Sequence, residues 1–255
     1  MNKKNLIALT ALCMATASGA AIAQEDATPA AMEETKAYSL SANVALTSEY
    51  FFRGLSQTDG SPTIQGGFDA GYDLDGPVDL YLGVWGSGVN FQGPTAGDDA
   101  TTEFDIYGGV TGEVKGVSWD AGFIWYTYPG ADSNLDYDFI EGAFSLGYDF
   151  GPYAVSAGLN YSPEYFGDSG DAVYVSGGVD VPLPEGFGLG LHIGHQSIDK
   201  NANFGTPDYL DWSVSISKEF EGFGFSLAYI DTDLSTGECN DVCDTKVVGT
   251  ISKEF

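Results

Sequence analysis

The sequence predicts an all-β fold: a transmembrane, antiparallel up-and-down β-barrel of about 12 strands, with short periplasmic turns at one end and long external loops at the other. Three observations predict it. From Tyr38 to the last residue, apolar and polar side chains alternate with period two, the mark of strands with one apolar face. The connections alternate between short turns and long polar loops. The polar faces carry Gly, Ser and Ala in place of the Lys and Glu that a soluble sheet shows to water. In a soluble sandwich or lipocalin-like barrel those small residues would point outward, so the composition favours the membrane orientation, apolar outside and polar within.

Each strand can be justified in order. The first sets Tyr38, Leu40, Ala42, Val44 and Leu46 against Ser39, Ser41 and Asn43. The second sets Ile64, Phe68, Ala70 and Tyr72 against Gln65, Gly67, Asp69 and Gly71, and the third Val78, Leu80, Leu82 and Val84 against Asp79, Tyr81 and Gly83. Phe104, Ile106 and Val110 then oppose Asp105, Tyr107 and Thr111, and Trp119, Ala121, Phe123 and Trp125 oppose Asp120, Gly122 and Tyr126. Ile140, Phe144, Leu146 and Tyr148 oppose Glu141, Ala143, Ser145 and Gly147.

The second half repeats the pattern. Tyr153 to Tyr161, Val173 to Val181 and Phe187 to Ile193 alternate with Ser, Gly, Asp180 and His192. Leu210, Trp212, Val214 and Ile216 oppose Asp211 and three serines, and Phe223, Phe225, Leu227 and Tyr229 oppose Gly224, Ser226 and Ala228. The last strand carries Val247, Gly249, Ile251 and Phe255 on one face. Short turns such as Asp75-Gly76-Pro77 follow the even strands, and long loops such as 88–102, 162–172, 196–208 and 231–245 follow the odd ones. Aromatics near strand ends (Tyr38, Tyr50, Phe52, Trp125, Tyr148, Tyr153, Tyr161, Trp212 and Tyr229) fit interfacial girdles.

The two ends of the chain carry export and assembly signals. Lys3 and Lys4, the apolar run Leu6 to Ala17 and the small residues Ala21-Ile22-Ala23 make residues 1–23 a signal peptide cut before Gln24. The run is too short for a membrane anchor, which needs roughly 20 apolar residues. Leu12 before Cys13 argues against lipidation. Residues 24–37 read as a flexible periplasmic lead-in, and 38–255 as the barrel of a Gram-negative outer membrane. Val247, Ile251 and the terminal Phe255 form an alternating strand closed by an aromatic, as an assembly signal for the barrel-assembly machinery would. Ile216-Ser217-Lys218-Glu219-Phe220 recurs as Ile251-Ser252-Lys253-Glu254-Phe255, which places both lysines where they can snorkel to the interface.

Charge narrows the function. There are 37 acidic residues against nine Lys and Arg, and Lys3 and Lys4 leave with the signal peptide. Such acidity repels nucleic acid. Cys239 and Cys243 lie in an exported segment, which favours a disulfide over free thiols or a metal site. On the first strand's register Glu49 and Arg53 both face inward at the external mouth, roughly 13 Å apart along the strand. A structural ion pair that pins the first loop is favoured for Arg53 over a constriction element that sets a transverse field. Asp69, Asp79, Asp105, Asp120, Glu141, Asp180 and Asp211 also face inward and complete the pore-lining candidates. Nothing singles out a catalytic pair among them. His192 faces the lumen and His195 the lipid or rim, and no Gly-x-Ser-x-Gly turn accompanies them, so neither catalysis nor a cofactor is expected. Asp98, Asp99, Asp231, Asp233, Glu238 and Asp241 lack the spacing of a calcium loop and read as solvated loop residues, with no metal expected.

The stretch Leu46-Thr47-Ser48-Glu49-Tyr50-Phe51-Phe52-Arg53-Gly54-Leu55-Ser56-Gln57, followed by Ser61-Pro62 and Gln65-Gly66-Gly67, resembles the TorF-type porins of proteobacteria, as does Tyr128-Pro129-Gly130. The resemblance spans the mature barrel, is strongest over 46–67, and departs from the family's usual Asp at Glu49. It implies a pore-like outer-membrane role and supplies no substrate or catalytic residue. The Gly, Ser, Ala and Thr of the inward positions then imply room for water and passive diffusion of small hydrophilic solutes, with cations preferred. The alternative is a ligand-binding or structural barrel plugged by loops or by inward Tyr81, Tyr107, Tyr126 and Phe139.

Overall fold

The structure, a computed structural model, describes residues 37–91 and 99–255. The expected signal peptide 1–23, nearly all of the expected lead-in 24–37 and Asp98 lie outside the described residues. In chain order, β1 (Tyr38–Thr47) is followed by a short hairpin of β2 (Phe51–Phe52) and β3 (Leu55–Ser56), then by β4 (Thr63–Asp73), β5 (Val78–Gly88), β6 (Thr102–Val114) and β7 (Val117–Thr127). The second half is β8 (Phe139–Asp149), β9 (Ala154–Ser162), β10 (Ala172–Leu183), β11 (Phe187–Ile198), β12 (Tyr209–Phe220), β13 (Phe223–Thr232) and β14 (Lys246–Glu254). One-turn helices α1 (Asn201–Phe204) and α2 (Thr236–Cys239) sit in external loops. All strands but β2 and β3 form one closed antiparallel barrel of twelve, each paired to its sequence neighbours and β1 to β14.

The alternation of the sequence sets which face is which. Leu40, Ile64, Phe68, Leu82, Ile193, Leu227 and Val247 stand out from the barrel wall and are exposed, a continuous apolar surface that water does not solvate favourably. Two-residue turns at Lys115-Gly116 and Glu221-Gly222, with positive φ at both positions, close hairpins at the end of the barrel where β1 begins and β14 ends. Lys218 lies 4.3 Å over the Phe187 ring and Lys253 4.5 Å over Phe223, so these cations cover aromatic rims at that end.

The inward face departs from the expected water-filled lining. Several glycines are where tyrosine rings lie down. Gly83 pairs across the ladder with Tyr107, and a Cβ on Gly83 would overlap that ring. Tyr174 covers Gly194 in the same way. The small residues thus leave space that aromatics from neighbouring strands fill. At the seam, β1 and β14 share five paired positions, Asn43↔Glu254 to Thr47↔Thr250, against ten between β1 and β4. Ala42 and Phe255 extend the seam by exchanging backbone hydrogen bonds of 3.2 and 2.9 Å.

Candidate functional site

The first external loop folds into the barrel. β1 ends at Thr47, so Glu49 and Arg53 do not continue its register; the chain turns inward and makes the β2–β3 hairpin around Arg53 (φ 49°) and Gly54 (φ 78°). A Cβ on Gly54 would crowd Thr232 and Asp211, so the turn needs a glycine for close approach as well as for its φ. Glu49 braces the loop by accepting from Ser56 Oγ at 2.6 Å and from the Gly60 amide at 3.0 Å, and the Tyr50 amide donates to Thr58 Oγ1 at 3.1 Å. Tyr50 and Phe51 are buried within the barrel, and Phe52 packs partly buried against that core, so none of the three joins an interfacial girdle.

Arg53 is the keystone of this insert. Its side chain is 4% exposed; Nη2 donates to Glu141 Oε2 at 2.6 Å and Nη1 to Gln196 Oε1 at 2.8 Å. The guanidinium lies 4.3 Å over the Tyr174 ring and 4.7 Å over Phe52. Glu141 (1% exposed) also receives Asn160 Nδ2 at 3.2 Å. Beside it, the Tyr174 hydroxyl donates to Asp211 at 3.0 Å, and His192 Nε2 lies 3.1 Å from the same carboxylate. Phe91, Tyr128, Tyr137 and Phe166 stack edge and face from three loops at the external end.

Below the hairpin the lumen opens into a cavity of about 190 Å³ that reaches toward the turn end at Asp149 and Ala154. Trp85, Asp105, Tyr126, Asn160, Asp180 and His192 line it. The inward acids fall into two tiers. Asp105, Glu141 and Asp211 are buried near the external ends of β6, β8 and β12. Asp69 accepts from the Tyr107 hydroxyl and Asp120 from Tyr81 at 3.0 Å, while Asp79 and Asp180 are half-buried toward the turn end. The structure brings Arg53 together with Glu141, and Asp211 with His192, but leaves Glu49 in its own loop.

Sequence reasoning missed Glu103, Gln196 and Tyr174. Glu103 (1% exposed) shares the parity of Asp105 and accepts from the Tyr50 hydroxyl at 2.9 Å. Gln196 shares the parity of His192, so both were visible in the alternation had it been carried to the strand ends. Cys239 and Cys243 are joined by a disulfide within the last external loop, beside the capping box of Ser235 and Glu238. Asp231 is taken up by Tyr229, Thr232 and Thr245, and among the described residues no group of three His, Cys, Asp or Glu converges as a metal site.

In fold the chain is similar to a KdgM porin solved in complex with disordered oligogalacturonate, with a TM-score of 0.53 and 6% identity over 84% of this chain and 99% of that one. The outer membrane channel DcaP of Acinetobacter baumannii matches over 89% of this chain and 100% of its own, at a TM-score of 0.45 and 10% identity. No curated protein matches the sequence. A family model described as a bacterial protein of unknown function matches residues 31–255, and the chain therefore belongs to the Gcw_chp family.

Proposed function

We propose that the protein is a porin-like channel of a Gram-negative outer membrane that passes small hydrophilic solutes, cations in preference, through a lumen narrowed from outside by the hairpin at residues 51–56. The observation that carries this reading is the polar, carboxylate-rich interior of a closed twelve-stranded barrel whose outer surface is apolar. The resemblance of residues 46–67 to the TorF-type porins supports it. Outer-membrane lipid is the solvent such a belt requires, and β14 with Phe255 following it suits delivery by the barrel-assembly machinery. Carboxylates on the wall of a low-dielectric pore raise the local cation concentration. Salt screens beyond roughly 10 Å at 0.1 M, so the preference should weaken as ionic strength rises.

The test is single-channel recording in a planar bilayer, with the reversal potential across a salt gradient at low and high concentration. Small conductance with cation selectivity that falls in the Asp105→Asn and Asp120→Asn variants is expected. Anion selectivity, or selectivity indifferent to both substitutions, would overturn the lumen assignment. The Arg53–Glu141 contact and the cluster of aromatic rings from the loops favour a second reading, a plugged barrel that captures a ligand; it predicts no current from the wild type or from a variant with Arg53 removed.

A further inference from the structure

We infer that the cavity under the hairpin is a binding site for a small organic cation, an alkylammonium group held by the Asp105 carboxylate against the rings of Tyr50, Trp85 and Tyr126. The inference rests on the cation-preferring lumen proposed above and names the class of solute that would dwell there.

Three carboxylates are buried on the two strands that flank β7, Glu103 and Asp105 on β6 and Glu141 on β8, and Glu141 pairs with the guanidinium of Arg53. Arg53 is already committed, with one nitrogen on Glu141 and another on Gln196. Among the described residues neither Glu103 nor Asp105 has an ion-pair partner. Glu103 has the Tyr50 hydroxyl in compensation. Asp105, 2% exposed, does not: its Oδ1 is buried with no hydrogen-bond partner among the described residues, and the residue lines the cavity. A buried carboxylate oxygen without a donor is costly, and a donor that also brings positive charge is the strongest available remedy.

The rest of the wall says what kind of donor fits. Tyr50 and Trp85 meet edge to face with centroids 5.5 Å apart, and Phe52 and Tyr126 at 5.7 Å, and all four line the same cavity. Aromatic faces attract a cation through their quadrupole and solvate alkyl groups as well, which an inorganic ion does not need. A chelated metal is disfavoured, because no three ligating side chains converge among the described residues. The cavity volume of about 190 Å³ exceeds that of a single water and admits an ammonium head with a short alkyl chain. Its extension toward Asp149 and Ala154 gives that ligand an approach from the turn end.

The test is calorimetric titration of the folded, detergent-solubilised full barrel with n-butylammonium chloride, with sodium butyrate and magnesium chloride as comparators at equal ionic strength. It needs no membrane, so a barrel that carries no current can still bind, and a conducting barrel can still fail to bind. Saturable one-to-one binding of butylammonium is expected, weakened about tenfold or more in Asp105→Asn and likewise in Trp85→Ala, with no saturable butyrate binding. Heat-modifiable migration reports whether each variant is folded; if Asp105→Asn does not fold, Trp85→Ala decides. Absence of butylammonium binding, or affinity unchanged in the folded variants, would overturn the inference. So would saturable binding of butyrate, or of magnesium lost on removing Asp105.

Discussion

Replacing Arg53 with Ala should unseat the inward hairpin. The substitution leaves Glu141, 1% exposed, with the weaker donors Asn160 at 3.2 Å and Tyr126 at 3.4 Å in place of a charged one at 2.6 Å. Removing one partner of a buried pair costs about 3–5 kcal/mol, mostly because the remaining charge is uncompensated. The cavity beneath can admit water to Glu141, which argues for the lower end. At about 1.4 kcal/mol per factor of ten, a loss of about 3 kcal/mol shifts the balance between seated and released hairpin by roughly 10²-fold. The assay is single-channel conductance of Arg53→Ala beside wild type, with urea unfolding on the same preparations. Higher and noisier conductance is expected, with reduced resistance to urea. Adding Glu141→Gln should recover most of the lost stability, since it removes the stranded charge, while leaving the hairpin free. Unchanged conductance and stability in Arg53→Ala, or a double variant no more stable than the single one, would refute the reasoning.

Deleting Phe255 removes the aromatic residue that follows β14 and the two backbone hydrogen bonds to Ala42, so membrane levels and heat-modifiable migration should fall; normal levels would count against a role in assembly. The Cys239–Cys243 bridge closes a short loop and should contribute on the order of 2 kcal/mol or less by chain entropy. Thiol labelling of the mature, oxidised and unfolded protein should find no free cysteine. Lys200 donates to Asp168 at 2.9 Å and holds that exposed carboxyl below its ordinary range. Because the folded value is depressed, the contact helps above the unfolded value and is lost as pH falls through the folded one. Proteolytic nicking of the 163–171 loop should therefore rise below pH about 4, and a Lys200→Met variant should show the nicking already at neutral pH.

The wall of the barrel was legible in the sequence because strand alternation is local. A side chain two residues on points the same way, so Leu40 or Phe68 declares the lipid side, and Asp69 or Asp211 the lumen, without knowledge of any distant contact. The plug was not legible to the same degree. Its contacts join residues far apart in the chain, Arg53 with Glu141 and Gln196, and no period connects them. Extending the β1 register through Arg53 failed because the strand ends at Thr47 and the chain bends at Ser48-Glu49, where nothing in the local pattern marks the change, before it turns again at Arg53-Gly54. The inward glycines misled for a related reason: Gly83 alone suggests space, and only its pairing with Tyr107 across the ladder shows what fills it. That pairing depends on register, which the alternation of one strand does not specify.

The short ladder between β1 and β14 bears on how the protein reaches its folded state. Every other strand pair joins near neighbours in sequence, whereas Thr47 and Thr250, whose hydroxyls meet at 3.0 Å, are 203 residues apart. In a free chain, bringing together ends that distant costs about 3 kcal/mol more than closing a ten-residue loop, by the logarithmic scaling of closure entropy. Neighbouring hairpins can zip first and shorten that effective distance to the curl of a nearly finished sheet. Until the two ends meet, β1 and β14 are open edges able to pair with any passing strand, including that of another copy. The ordering this imposes makes the seam the slow, concentration-sensitive step of refolding, even though it is the smallest interface in the wall.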